Sequence, residues 1–149
     1  MIVSFIGHST LHSPTALTEK VRAAILSSIP PCAKVFFYCG GYGEFDDLCA
    51  RVCRSLREKS FDCEILFITP YITPAQQKKI KYFTDTKLYD AAIYPPLEHT
   101  PLRFAIDKRN RWMIEQADLV ICHVTHHHGG AYKAMEYARR KGIKIINLE

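Results

Sequence analysis

Short apolar runs alternate with longer amphipathic stretches from one end of the chain to the other. IVSFI (residues 2–6), KVFFY (34–38), EILFI (64–68), DAAIY (90–94), LVICHV (119–124) and KIINL (144–148) are mostly near-continuous in apolar character, as strands buried on both faces of a parallel sheet must be. The stretches between them repeat apolar positions at helical spacing instead. In EFDDLCARVCRSLREK (44–59), Phe45, Leu48, Cys49, Val52, Cys53 and Leu56 form one stripe, with Arg51, Arg54, Arg57 and Glu58 mostly away from it. Another helix is predicted after Ser13 and Pro14, read as N-cap and first helical residue, with Leu17, Val21, Ala24 and Ile25 on its packed face. Helices near 74–83, 102–116 and 130–141 complete the alternation. No repeat and no Gly/Pro/Ser-rich linker interrupts it, and the prolines at 95, 96 and 101 mark a longer loop after the fourth strand. The pattern predicts an α/β chain: a single Rossmann-like, three-layer domain over residues 1–149, on a mainly parallel sheet of about six strands.

Composition agrees with one folded unit. The chain has 149 residues, 48% hydrophobic and 23% charged, enough for one full core and no disordered tract. MIVSFIGHST lacks a basic flank and a small-residue cleavage site, so it reads as a buried first strand rather than a leader or membrane anchor. The six cysteines include no CxxC pair and mostly fall in apolar segments, which points to reduced thiols in a cytoplasm. A net charge of +5 favours anionic small molecules, but it is not gathered into the basic stripe of a dedicated nucleic-acid binder. Nucleic acid is therefore not an expected partner at this stage, and neither is a membrane.

In open parallel sheets ligands bind beyond the carboxyl ends of the strands, and three such ends carry glycine. The first gives Gly7 and His8, the second Gly40, Gly41 and Gly43, the fifth Gly129 and Gly130. Glycine lets backbone N–H groups approach an anion, and a helix N-terminus favours one; the same glycines also suit any tight strand-to-helix turn. Asp46 either complements its helix dipole or holds ribose hydroxyls. Arg109 projects into the stripe of Leu102, Ala105, Ile106, Met113 and Ala117; as an inward cation it needs a partner, a ligand phosphate or carboxylate being the favoured one. Arg111 falls on the surface or rim. Glu136 pairs with Arg140 at i,i+4 or leans toward the cleft from the second turn of its helix. In His126, His127 and His128 consecutive side chains diverge, and no CxxC or HxxxH spacing accompanies them, so no metal site is assigned and the histidines are placed on the rim.

Taken in order, FIGH (5–8), CGGYGEFDDLC (39–49), DKRNRWM (107–113) leading into ADLVI, and GGAYKAME (129–136) resemble the SLOG superfamily. This group of Rossmann-like proteins includes the YpsA family, the Lonely Guy (LOG) phosphoribohydrolases and the DNA-processing protein DprA. The GH after the first strand and the GG..GFD-type segment look most like YpsA members. Arg109, Met113, Gly129, Gly130 and Glu136 fall on the LOG pattern, whereas Tyr132 and Lys133 stand where GGxGTxxE has its third glycine and its threonine. The resemblance implies a protein that binds a nucleotide or nucleotide-derived ligand, such as a nucleoside phosphate or an ADP-ribose-like molecule, as a sensor or processing protein. One alternative is a LOG-like hydrolase of N-glycosidic bonds, with Glu136 and Arg109 as catalytic residues. A second is DprA-like binding of single-stranded nucleic acid. Gly7, His8, Gly40, Gly41, Gly43, Asp46, Arg109, Gly129 and Gly130 are the expected ligand-binding residues. No cofactor is expected, and a homodimer is the expected assembly.

Overall fold

A computed structural model describes residues 1–149. Six strands alternate with five helices: β1 (Ile2–Gly7), α1 (Pro14–Ser28), β2 (Val35–Cys39), α2 (Glu44–Glu58), β3 (Cys63–Ile68), α3 (Pro74–Asp85), β4 (Ala91–Ile93), α4 (Ala105–Gln116), β5 (Leu119–His123), α5 (Gly129–Arg140) and β6 (Lys144–Asn147). Each predicted element is present, with ends displaced by one or two residues. The exception is the 102–116 stretch, where Leu102–Phe104 form a separate 3-10 turn before α4. Leu102 accordingly leaves the packed stripe and is exposed. Ser13 precedes α1 with Pro14 in the first turn, but its side chain makes no capping hydrogen bond; its carbonyl instead accepts the Leu17 N–H at 3.2 Å.

All strand pairs are parallel, in the order β4-β3-β2-β1-β5-β6. Alternation along the strands divides the apolar side chains between two cores. Val3 and Phe5 of β1, Val35 and Phe37 of β2, and Ile65 and Phe67 of β3 pack under the apolar stripes of α1 and α2, with Ile80 and Phe83 of α3 beside them. On the opposite face Ile6, Tyr38, Val120 and Cys122 meet Met113 and Ile114 of α4 and Ala134, Met135 and Ala138 of α5. Ser4 points to this second face, where its hydroxyl donates to Met113 O at 2.9 Å and so is satisfied in the core.

The chain winds outward from β1 to β4, then crosses back to lay β5 on the other side of β1. Right-handed crossovers in opposite directions put their helices on opposite faces, which is why α1 to α3 share one layer and α4 and α5 the other. The direction of winding reverses between β1 and β5, and that reversal opens a crevice at their carboxyl ends. No helix is long and apolar enough to cross a membrane.

Candidate functional site

A cleft of about 790 Å³ lies at that crevice. Its walls come from the ends of β1 and β5, the 8–13 loop, the first turns of α1, the β2–α2 loop, α4 and the start of α5. Lys20 and Arg109 contribute positive charge, Asp46 and Glu149 negative, and His8, His12, His123 and His126 four imidazoles.

The β2–α2 loop is occupied by the protein itself. Arg109, only 2% exposed, donates from Nη1 to Gly40 O and Ile68 O, both at 2.8 Å, and from Nε to Asn110 Oδ1 at 3.0 Å. Its guanidinium thus ties together the ends of β2 and β3, satisfying carbonyls that a parallel sheet leaves unpaired where its strands stop. Lys79 Nζ reaches Gly41 O at 3.0 Å from the other side. A Cβ on Gly40 would stand 2.9 Å from Arg109 Nη2, and one on Gly41 would stand 2.4 Å from the Phe67 ring. At Gly43, φ of +103° and Ser9 Cα at 2.6 Å from a Cβ position exclude a side chain on two grounds. Asp46 is buried and accepts the Tyr42 N–H at 3.0 Å. Burial pushes its carboxyl up to about 6, against the opposing pull of the Arg109 charge and the Tyr42 hydrogen bond.

The β5–α5 loop is different in kind. A Cβ on Gly130 would meet nothing within 4 Å, and one on Gly129 only His126 Cε1 at 3.9 Å. No side chain caps the N-terminus of α5, so the backbone N–H groups of its first turn are left free beside the cleft. In front of them His8 and His126 stack at 3.9 Å between centroids, and His126 and His128 at 4.0 Å. His8 Nε2 accepts the Thr125 N–H at 3.1 Å, which fixes the neutral ring with its proton on Nδ1. Burial, then the neighbouring His126, His123 and His128, lower the His8 pKa. His123 is held apart, with Nδ1 on Leu148 O at 2.5 Å.

Of the residues expected from sequence, Gly7, His8, Gly40, Asp46, Arg109, Gly129 and Gly130 line the cleft; Gly41, Gly43 and Glu136 do not. Glu136 is paired with Arg139 at i,i+3 rather than with Arg140, and Arg140 lies over the Tyr137 ring. Arg111 sits on the surface, bonded to Asp107 at 3.3 Å. No cluster of three or more His, Cys, Asp or Glu side chains has the arrangement to hold a metal ion. Sequence reasoning passed over Lys20, His12, Thr125 and Tyr42, all in the cleft wall. Tyr42, 59% exposed between two glycines, carried a legible signal as an aromatic on a ligand loop. Lys20 and His12 carried none, because only the tertiary path of the 8–13 loop and of α1 brings them to the cleft.

No protein-family model matches the sequence, and no curated protein matches it. Solved structures share the fold, among them two of DNA processing protein A. One is the DNA processing protein A (DprA) from Streptococcus pneumoniae, with a TM-score of 0.67 and 17% identity, covering 99% of this chain and 50% of that one. The other is DNA processing protein A from Helicobacter pylori, described for its single-stranded DNA binding mode, with a TM-score of 0.67 and 15% identity over 100% of this chain and 65% of that one. The chain thus spans between half and two thirds of the length of these neighbours. At such identities the likeness defines a DprA-like, doubly wound fold and does not single out the YpsA or LOG branch. It also corrects one expectation. In the sequence, the absence of a basic stripe argues against nucleic acid, yet the same fold belongs to a protein with a single-stranded DNA binding mode. Phosphates are also contacted by backbone N–H groups and helix N-termini, which leave no basic stripe in a sequence.

Proposed function

We propose that the domain formed by residues 1–149 binds single-stranded nucleic acid, seating a nucleotide unit of the strand in the β1–β5 cleft. The observation that carries this reading is the uncapped start of α5: N–H groups at Gly129 and Gly130 that no side chain accepts, beside a cleft large enough for a nucleotide unit. The fold shared with a protein described for single-stranded DNA binding supports it. So does the wall chemistry, in which Lys20 and Arg109 balance Asp46 and Glu149 and four imidazoles add planar, hydrogen-bonding rings. In this reading Gly7 and His8 line the seat, Gly129 and Gly130 take phosphate, and Asp46 accepts from a sugar hydroxyl or base edge. Arg109 acts through the loop it holds. The N-glycosidic hydrolase reading gains no support, since Glu136 lies outside the cleft wall and is engaged by Arg139.

The same cleft suits a free nucleotide, because 790 Å³ falls within the roughly 300 to 1,000 Å³ of small-molecule pockets. Fluorescence anisotropy with a labelled oligo-dT separates the two. Strand binding predicts micromolar affinity that weakens with salt, with a log–log slope of about −0.7 per phosphate engaged. Competition by a mononucleotide at low concentration, with no oligonucleotide binding above that of a single unit, would favour the free ligand. Absence of any binding would remove the proposal. Six unpaired thiols, five of them buried, support our assignment of the domain to a reducing cytoplasm.

A further inference from the structure

The histidine run resolves into two sides. The backbone bends at His126 and His127 and is extended at His128. His127 turns away to meet the Tyr132 ring edge-on at 5.4 Å, while His126 turns onto His8 and His128 onto His126. The rings follow in the order His8, His126, His128, spaced 3.9 and 4.0 Å and inclined by only 15° and 23°.

Each end of this ladder is distinct. The inner end is closed: His8 is fixed by the Thr125 N–H, with His123 edge-on beyond it at 6.4 Å. The middle ring has a buried Nδ1 with no hydrogen-bond partner, so stacking and not a polar contact holds it there. The outer ring, His128, is exposed, and no aromatic or cationic group covers its far face. His128 occupies the N-cap of α5 in extended conformation, yet its side chain makes no cap. An N-cap side chain ordinarily accepts the first free N–H groups of its helix. Here the imidazole is spent on the stack, and those N–H groups stay open one residue away.

We propose that the His8–His126–His128 ladder is a base-stacking subsite, and that an unpaired nucleobase becomes its fourth ring by lying on the outer face of His128. This inference rests on the strand-binding reading above; because His128 lies outside the cleft lining, the base it takes is that of the nucleotide next to the one seated in the cleft. Planar π-faces stack on any base, so the subsite tolerates sequence and recognises an unpaired base rather than a duplex. The spacing already set by the imidazoles is that of stacked rings, so the platform needs no rearrangement on binding.

The test compares wild type, His128→Ala and His128→Tyr on two labelled oligonucleotides with equal numbers of phosphates, one of dT and one of abasic sites. Loss of one stacked base is expected to weaken dT binding by His128→Ala about tenfold. The abasic strand should bind wild type and His128→Ala alike, and His128→Tyr should restore dT binding. A 2-aminopurine in the strand should be quenched by wild type and not by His128→Ala. Equal dT binding by wild type and His128→Ala would overturn the subsite and leave the function intact. Equal weakening on both strands would overturn it too, by making His128 a phosphate contact. If wild type binds neither strand, the function itself is wrong and the subsite falls with it.

Discussion

The two glycine loops at the carboxyl edge of the sheet look alike in sequence and are opposites in space. At the β2–α2 loop, glycine is required because the protein packs onto the backbone: Arg109 against Gly40, Phe67 against Gly41, Ser9 against Gly43. Its carbonyls at Gly40 and Gly41 are already taken by Arg109 and Lys79. At the β5–α5 loop, Gly129 and Gly130 border open space and the helix N-terminus has no cap. The first loop is closed by the chain's own side chains, and the second is left open by them. A glycine-rich turn therefore reports a close approach without saying whether a side chain of the same chain or a ligand makes it.

Substitutions on the two loops sharpen this contrast. The largest effect is expected from Arg109→Met, which keeps the stem but leaves two buried carbonyls and the Asp46 charge without their cation. Urea denaturation should show a loss of about 3 kcal/mol, and a loss below about 1 kcal/mol would mean that the loop closes without the guanidinium. Gly43→Ala comes next, at about 2 kcal/mol, from left-handed strain together with the clash on Ser9; the same measurement checks it, and a neutral result would contradict the closed loop.

Asp46 gives a pH test of the same region. Its carboxyl moves from 3.8 to about 6 on folding, so between those values the folded protein holds a proton that the unfolded chain has released. Stability from this group is therefore present at low pH and is lost as pH rises through that window. The stability of wild type minus that of Asp46→Asn should fall across pH 4 to 6.5, and a flat difference would show that Asp46 is ionised like an exposed carboxylate. The smallest effect belongs to the open loop. Gly130→Ala is expected to raise stability by about 0.5 kcal/mol, because the side chain meets nothing and the unfolded chain loses freedom; a loss above 1 kcal/mol would show that the loop is packed after all.

The architecture was legible because hydrophobic period is a local property. Runs such as EILFI and the stripe from Phe45 to Leu56 each state their own geometry, and the β/α order then leaves few arrangements. The site was legible in part. Arg109 was expected to face inward and does, but its partner was expected to be a ligand and is the backbone of Gly40 and Ile68. Those carbonyls are distant from it in sequence, and backbone acceptors carry no residue signature. Glu136 had two candidate roles at similar spacing, and the rotamers of α5 sent it to Arg139.

The histidine run shows the division most plainly. That three consecutive histidines do not share one side was legible in THHHGG, but His126 and His127 lie in bends, so the sequence did not decide that His127 is the one set apart. That His126 would close on His8 depended on β1 and β5 lying side by side, with Gly7 opposite His123 in the parallel register. Period and turn chemistry act over a few residues, and the sequence by itself determined the strands, the helices and the sheet edge at which the glycine loops gather. Whether a glycine is filled or open, and which rings stack, depends on segments that meet only after the chain reverses its winding, and those the tertiary structure alone decided.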